Sequence, residues 1–144
     1  MTTNKGRFKP KNPEKYRGDP TNIIYRSGWE LKLMGYLDMH EEVIQWASEE
    51  FCIPYRSPVD NRIHRYFPDF WVKKTDGSVL VIEVKPAKQA EPPKQPSRMT
   101  KRYINEVFEY GKNQAKWKAA REYCDDRGWN FVVMTERELG IKTI

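Results

Sequence analysis

Cysteine and histidine are scarce in this chain of 144 residues, which contains two of each. Cys52 and Cys124 are too few for a disulfide framework or a four-thiolate zinc site, so we expect two small core thiols in a reducing, intracellular environment. His40 and His64 have no partner at metal-ligand spacing, and we assign neither a catalytic role. The scarcity of these residue types argues against a disulfide-stabilised secreted domain and against a zinc site.

Long apolar runs are also missing. No stretch approaches the roughly 20 residues that a membrane-spanning helix needs, and the basic N-terminus lacks the apolar core of a secretory signal. We therefore expect a soluble protein, without membrane association, that is made in a cytoplasm. No internal repeat is present. The length is that of one domain, and a hydrophobic content of 38% is enough for one modest core.

Positive charge is in excess. Twenty-six Lys and Arg residues stand against twenty Asp and Glu, a net charge of +6 that favours a polyanionic partner such as nucleic acid. Residues 1–20 carry six basic and two acidic residues, so this segment supplies +4 of the total. Its prolines and its few apolar residues predict a flexible basic arm, with packed structure beginning near Thr21. The arm is either a solvated tail or a DNA-contacting segment.

Periodicity and chain breakers predict the elements of residues 21–144. Ser27 followed by Glu30 has the spacing of a capping box and predicts a helix from about Ser27 to Met39. Apolar, β-branched runs predict strands over 51–55, 63–72 and 79–84, and Asp76-Gly77 predicts a hairpin turn between the last two. For residues 41–47 the pattern leaves a short helix and a strand that enters the sheet open.

The C-terminal half begins with a proline-rich segment, 86–99, which we expect to be a loop. A long helix is predicted over 100–126, with a break near Gly111 left open and a stop at Gly128. Asn130–Met134 is predicted as a strand and 135–139 as the capped start of a short final helix. The series predicts a mixed α/β fold in the order helix, three strands, long helix, strand and short helix.

Two acidic residues interrupt strands that should otherwise be buried. Asp69 follows Pro68 in an apolar run, and Glu83 stands fourteen positions later at the end of the next strand. An isolated charge in such a place costs several kcal/mol, so a function has to retain it. Carboxylates on neighbouring strands can hold Mg²⁺ with positions left for water and phosphate, which is what hydrolysis of a phosphodiester requires.

Lys85 follows Glu83 by two residues and therefore lies on the same face of its strand. A lysine in that position can hold the attacking water and offset developing negative charge. The structural alternatives are a buried acid paired with Lys85 and an exposed pair on an amphipathic hairpin. We favour the catalytic interpretation because both motifs occur together, with a turn between them.

The combination of Pro68-Asp69 with Glu83-Val84-Lys85, preceded by Glu30 on a helix, resembles the PD-(D/E)XK nuclease superfamily. Further stretches are similar to two related branches of it, the TnsA-type transposon-end endonucleases and the head completion proteins of T4-like tailed phages. These stretches are 25–30, 67–70, 83–86, 116–117 and 133–139, and the opening residues 1–8 favour the phage branch.

The resemblance implies a restriction-endonuclease-like core that uses Mg²⁺, with Mn²⁺ as a possible substitute. It implies that Asp69 and Glu83 are metal ligands, that Lys85 is the catalytic lysine and that Glu30 aids metal or water positioning. The alternative for Glu30 is a capping role only. Some branches carry a glutamine on the following helix, but Trp117 follows Gln114 three positions later rather than four, so that motif is not matched.

Basic residues crowd the segment that leaves the candidate site. Such a loop is expected to follow the phosphate backbone of double-stranded DNA without reading sequence, although a solvated loop is the alternative. Lys116 on the long helix could contact phosphate as well, or lie on a solvated helix face. The predicted DNA-binding residues are Lys88, Lys94, Arg98, Lys101, Arg102 and Lys116.

The sequence thus predicts a metal-dependent DNA endonuclease. The resemblance implies a role in phage head completion, in which the packaged DNA end is processed before tail attachment, with head or portal components as further partners. Such a protein would be found in the host cytoplasm during assembly and in the virion. The alternatives are a DNA-binding structural head or portal protein that does not cut, and a transposon-end or junction endonuclease.

Overall fold

The computed structural model describes residues 5–138, and within this range the chain forms eight strands and three α-helices. The strands are β1 (Gly6–Phe8), β2 (Ile23–Tyr25), β3 (Val43–Ser48), β4 (Ile53–Arg56), β5 (Ile63–Tyr66), β6 (Phe70–Lys74), β7 (Val79–Val84) and β8 (Asn130–Met134). The helices are α1 (Gly28–Met39), α2 (Ala87–Ala90) and α3 (Lys101–Arg127). None of these helices is long and apolar enough to cross a membrane.

Four strands make a mixed sheet in the order β3-β6-β7-β8. β6 pairs antiparallel with both β3 and β7, whereas β8 runs parallel to β7 after the long crossover through α3. Two hairpins, β1–β2 and β4–β5, lie outside this sheet. The predicted mixed α/β class is confirmed, but within the described residues five strands rather than three separate α1 from the long helix α3.

Each face of the sheet has its own core because side chains alternate along β6 and β7. Leu33, Met34 and Leu37 of α1 pack with Trp46 and Phe70 on one face. On the other face, Trp71, Val79 and Val81 pack with Cys124 of α3. The β4–β5 hairpin joins this second side, where Ile53, Tyr55 and Tyr66 contact Trp117 and Ala120 of α3.

The N-terminal segment differs from its prediction. β1 pairs with β2, and Tyr16, only 7% exposed, packs edge-on against Trp46 with 4.8 Å between ring centroids. The buried Asp38 carboxylate accepts hydrogen bonds from the backbone N–H groups of Lys11 (2.8 Å) and Asn12 (3.1 Å). The expectation that packed structure begins near Thr21 is therefore wrong, because a few aromatic and polar contacts suffice to hold residues 6–16 on α1 and β3.

The predicted strand over 63–72 is in fact two strands, β5 and β6. Phe67, Pro68 and Asp69 separate them, and the buried Pro68 has no N–H to donate to a sheet ladder. As a result β4 and β5 form a hairpin of their own, and β3 takes the place in the central sheet that we expected for residues 51–55. The open question at 41–47 is answered by β3, which is a strand.

α1, α3, β7 and β8 are present as predicted, whereas the described part of the predicted final helix, residues 136–138, forms a turn. The Ser27 hydroxyl accepts a hydrogen bond from the Glu30 N–H and caps α1, and Gly128 ends α3 in a left-handed conformation with φ 70°. α3 runs through Gly111 without a break, and the proline-rich loop contains the single turn α2, which we did not predict. Thr135 forms the expected cap with Glu138, but Leu139 lies outside the described residues.

Candidate active site

The β6–β7 pairing brings the two predicted acids together. Phe70 pairs with Ile82, so the next pair along this antiparallel ladder is Asp69 opposite Glu83. Directly opposite residues in such a pair have Cβ atoms about 4.5–5.5 Å apart. The break at Pro68 matters here, because it separates β5 from β6 and leaves Asp69 directly before the first residue of β6.

Both carboxylates are held by hydrogen bonds. Asp69 Oδ2 accepts from the Val84 N–H at 2.8 Å, and Glu83 Oε1 accepts from the Tyr66 hydroxyl at 2.8 Å. Glu83 is only 6% exposed, and Asp69 is partly buried. The hydrogen bonds fix which oxygens remain available, since Asp69 Oδ1 and Glu83 Oε2 do not accept these two bonds.

Burial makes this pair of acids electrostatically costly. Burial, followed by the smaller effect of the Glu83 charge, raises the pKa of Asp69 well above its usual range. Burial also raises the pKa of Glu83, against the opposing effects of Lys85 and of the Tyr66 hydrogen bond. Burial raises the pKa of both acids and the Glu83 charge raises that of Asp69 further, so the pair needs a cation to be charged together at neutral pH.

Lys85 supplies one positive charge beside Glu83. Its Nζ lies 3.9 Å from Glu83 Oε2, and its backbone N–H donates to the Met134 carbonyl at 2.9 Å, which extends the β7–β8 ladder. Leu80 and Val84 pack on the α1 side of the sheet, so Glu83 and Lys85 share the opposite face, as predicted. A long ion pair of this kind fits both a structural and a catalytic role.

Glu30 serves as a capping residue and also carries charge near the site. Its Oε2 accepts from the Arg26 N–H at 2.8 Å, one residue earlier than in a standard capping box. Burial raises its pKa, and the Lys85 charge opposes that rise. Within residues 5–138, no group of three or more His, Cys, Asp or Glu side chains lies close enough together to hold a metal ion. The structure thus brings together Asp69 and Glu83, without Glu30 as a third ligand.

The donor set of this pair suits a hard divalent cation. Mg²⁺ is commonly bound through one or two carboxylates, with water and substrate oxygens completing its shell. Asp69 and Glu83 provide two opposed carboxylates whose mutual repulsion such an ion would relieve. These two residues therefore fit a magnesium site.

Two residues near the site, Tyr66 and Glu49, were not predicted from the sequence. Tyr66 holds Glu83, and no spacing in the sequence connects the two. The Glu49 N–H donates to the Asp69 carbonyl at 3.1 Å, and its carboxylate forms an ion pair with Arg26. Glu49 has φ 53°, which is uncommon for a residue with a side chain and typical of functional loops. In the sequence, only the position of Glu49 directly after the residues of β3 could have indicated a role for this residue.

The basic residues predicted to bind DNA divide into two groups. A groove of about 1690 Å³ runs from Lys85 between the proline-rich loop and the first half of α3, and Lys88, Lys94 and Arg102 line it. Acidic side chains line it too, and Arg102 is paired with Glu106 at 3.1 Å. Arg98, Lys101 and Lys116 are not among the residues that line this groove.

Lys116 is neither in this groove nor on a solvated face. Its Nζ lies 5.8 Å from the ring centroid of Tyr66 and 5.9 Å from that of Tyr55. Burial and the neighbouring Lys85 charge lower the pKa of Lys116. The Lys116 charge in turn lowers the pKa of Glu83. Lys116 is thus a second lysine beside the two acids, delivered by α3.

Two opposed carboxylates with a lysine, at the end of the two central strands of a mixed sheet, agree with the endonuclease family that the chain matches. It belongs to the TnsA-like endonuclease N-terminal family, which matches residues 40–136. That range contains Asp69, Glu83 and Lys85 and begins after Glu30.

A particular relative is the head completion nuclease of Enterobacteria phage T4. It is 42% identical over 144 residues, an alignment that covers 95% of this chain and 96% of the relative. The family and this relative confirm the resemblance to both branches that the sequence motifs indicated.

Proposed function

We propose that this protein is a DNA endonuclease that hydrolyses phosphodiester bonds on a restriction-endonuclease-like core within residues 21–144. The observation that carries the proposal is the pairing of Asp69 opposite Glu83, with Lys85 on the same face of β7. Family membership supports the reaction class, because the matched range contains all three residues.

Asp69 and Glu83 would hold Mg²⁺, for which Mn²⁺ can substitute, and Glu30 would help to position water at the same edge of the sheet. A bound divalent ion supplies positive charge for the transition state and makes hydroxide available near neutral pH. The Val84 N–H and the Tyr66 hydroxyl hold the two carboxylates in place while this happens. Such positioning matters because catalysis depends on groups that need not reorganise.

Lys85 has two tasks in this proposal. Its Nζ can hold a water molecule for in-line attack on phosphorus, and its charge offsets the negative charge that develops on the phosphate oxygens. Lys116 adds a second positive charge from α3 and contacts the DNA strand that contains the scissile phosphate. The groove beside Lys85 then guides the phosphate backbone past Lys88, Lys94 and Arg102, with Arg98 and Lys101 at its approach.

We place this activity in phage head completion, where the end of packaged DNA is processed before tail attachment. Support comes from the relative in Enterobacteria phage T4, which is called a head completion nuclease and aligns along nearly the whole chain. Double-stranded DNA is the substrate, cut without sequence readout, and head or portal components are its protein partners. The protein would act in the host cytoplasm during assembly and could remain in the virion head.

A second candidate is a paired-cut endonuclease of the transposon-end type. The match to the TnsA-like family favours it. Such an enzyme needs a partner protein or a dimer to place its two cuts. Tryptic peptides of this protein in tail-ready heads support the head-completion role, and their absence there favours the transposon-type role.

Cleavage assays test the reaction. Wild type and Asp69→Ala are incubated with linear, circular and branched DNA in Mg²⁺ or Mn²⁺. Asp76→Ala is the matched control, because Asp76 lies in the turn at the other end of the same strand pair and bonds only to Ser78 in the described structure. We expect wild type and Asp76→Ala to cleave and Asp69→Ala to be inactive. Equal cleavage by all three proteins would contradict the assignment.

A further inference from the structure

The β4–β5 hairpin presents a face to solvent that the proposed function does not use. Pro54 pairs with Arg65 and Arg56 with Ile63, so these four side chains share one face, and all four are exposed. Of the alternate residues, Ile53, Tyr55 and Tyr66 point the other way and pack on α3. The hairpin is therefore anchored on one side and free on the other.

The composition of this outer face is basic and apolar. It carries the guanidinium groups of Arg56 and Arg65 together with Ile63, which is 59% exposed. Phe67 continues the face two residues after Arg65, is 42% exposed, and has the Arg65 guanidinium 5.8 Å from its ring centroid. The hairpin has one acid between Ile53 and Phe67, Asp60, and His64 pairs with it at 2.7 Å.

The position of the face relative to the site is fixed by the chain. Phe67 is separated from Asp69 by Pro68 alone, and Pro68 is buried. Tyr66, the residue before Phe67, donates its hydrogen bond to Glu83. The end of the outer face at Phe67 is thus the end that lies next to the two carboxylates.

These features fit double-stranded DNA. A two-stranded ribbon can enter the major groove, arginine binds both phosphates and the guanine edge, and exposed aromatic or aliphatic side chains contact bases or wedge between base steps. A second copy of the chain fits less well, because two arginines without an accompanying acid would repel the same face of a partner.

We propose that the outer face of the hairpin, formed by Arg56, Ile63, Arg65 and Phe67, is a duplex-binding surface that holds DNA beside Asp69. The proposal rests on the proposed function and deepens it, since it assigns the surface that holds the duplex and a groove contact next to the scissile phosphate. The groove along the proline-rich loop would then hold the backbone on the other side of the site.

Binding is best measured without cleavage, in the Asp69→Asn protein with a short fluorescent duplex over a range of salt concentrations. Adding Arg56→Gln and Arg65→Gln should weaken binding about tenfold or more and reduce the salt slope by roughly 0.9 for each phosphate that is no longer neutralised. Lys73→Gln with Lys74→Gln removes the same charge at the opposite end of β6 and is the matched control. It should leave the salt slope unchanged.

Two further variants separate contact from folding. Arg56 also donates to the Asn61 carbonyl at 2.8 Å, so Arg65→Gln alone tests the charge without loosening the hairpin turn. Phe67→Ala should reduce affinity for duplex more than for single-stranded DNA and leave the salt slope unchanged. Equal binding of parent, Arg65→Gln and Phe67→Ala would overturn the proposal. A changed oligomeric state with unchanged DNA binding would overturn it as well and assign the face to a protein partner.

DNA cleavage by proteins that carry the same hairpin substitutions but keep Asp69 distinguishes the two proposals. If wild type cuts DNA and the hairpin variants bind and cut it equally well, the binding-surface proposal fails and the nuclease proposal is retained. If wild type does not cut DNA but the hairpin variants lose affinity for duplex, the nuclease proposal fails and the binding-surface proposal is retained.

Discussion

At the scale of single residues, the site depends on two carboxylates that face each other in a partly buried position. Asp69 and Glu83 interrupt apolar strands, burial raises the pKa of both, and the Glu83 charge raises the pKa of Asp69 further. Residues kept for catalysis in this way lower the stability of the folded protein when no cation is bound. Removal of one of the two charges should therefore raise the stability of the folded protein and lower its activity.

Asp69→Asn tests this opposition. Asparagine can keep the hydrogen bond from the Val84 N–H but carries no charge, so the repulsion with Glu83 disappears. In EDTA we expect the variant to be more stable than wild type, by on the order of 1 kcal/mol, and to be inactive with Mg²⁺. Urea unfolding of both proteins gives the stability difference. A less stable variant would show that the two acids do not repel each other in the folded protein.

Tyr66→Phe tests whether Tyr66 positions Glu83. A hydrogen bond to a charged group contributes about 1.5–3 kcal/mol, so we expect kcat to fall by roughly tenfold or more, with KM for DNA little changed. Tyr55→Phe is the control, since Tyr55 lies on the neighbouring strand in the same cluster but does not hold either acid. Equal activity of both variants would remove Tyr66 from the site.

At the scale of elements, the N-terminal segment supports α1. The Asp38 carboxylate at the end of α1 accepts two backbone hydrogen bonds from residues 11 and 12, and the Lys15 ammonium donates to the Asp38 and His40 carbonyls at 2.8 and 2.9 Å. These contacts tie the segment to the helix that carries Glu30. The family match begins at residue 40, so this support lies outside it.

Asp38→Ala should destabilise the protein by about 1–3 kcal/mol, because it leaves two backbone donors without an acceptor in a site that is 1% exposed. Glu41→Ala, an exposed acid three residues later, should change stability little. Chemical denaturation measures both. If the two substitutions had equal small effects, residues 11 and 12 would not be bound to α1 in solution.

The proline-rich loop gives a second prediction at this scale. Lys88→Gln and Lys94→Gln together should lower DNA affinity and reduce the salt slope by roughly 0.9 for each phosphate they neutralise, because both residues line the groove beside Lys85. Fluorescence anisotropy with the Asp69→Asn protein measures this. Lys73→Gln with Lys74→Gln again controls for charge. An unchanged slope in the loop variant would make this segment a solvated loop.

Local signals predicted α1, α3, β8 and the strand that carries Glu83, because caps, turns and apolar alternation are short-range features. Ser27, Asp76-Gly77 and Gly128 each specify a boundary within a few residues. The split between β5 and β6 was missed because the apolar pattern continues through Phe67 and Pro68. The N-terminal packing and the Tyr66 hydrogen bond depend on contacts between distant residues, which no local pattern records.

At the scale of the whole molecule, one sheet separates two cores and carries the site at one end of its two central strands. The parallel crossover from β7 to β8 through α3 places Cys124 and Trp117 on one face and leaves the other to α1 and the N-terminal segment. The proposed active-site acids lie directly before β6 and within β7, the two central strands, so both cores must be intact for the acids to meet.

Thiol labelling checks this packing. Cys124 is buried, and burial raises its pKa to about 11, so at pH 8 it should remain protonated and inaccessible. Cys52 is partly exposed and should react. We expect one labelled thiol in the native protein and two in urea, counted by mass spectrometry. Rapid labelling of Cys124 in the native state would contradict the packing of α3 on the sheet.

The most direct test of the central claim is the rate at which Glu83→Gln cleaves plasmid DNA at saturating Mg²⁺. Glutamine keeps the shape of the side chain and an acceptor for the Tyr66 hydroxyl. It removes the negative charge that, together with Asp69 on the neighbouring strand, would hold the metal ion. We expect a rate at least roughly a thousandfold below wild type, a loss of several kcal/mol of transition-state stabilisation, whereas the exposed control Glu122→Gln keeps full activity. Cleavage by Glu83→Gln at the wild-type rate would contradict the claim that Asp69 and Glu83 form the catalytic centre.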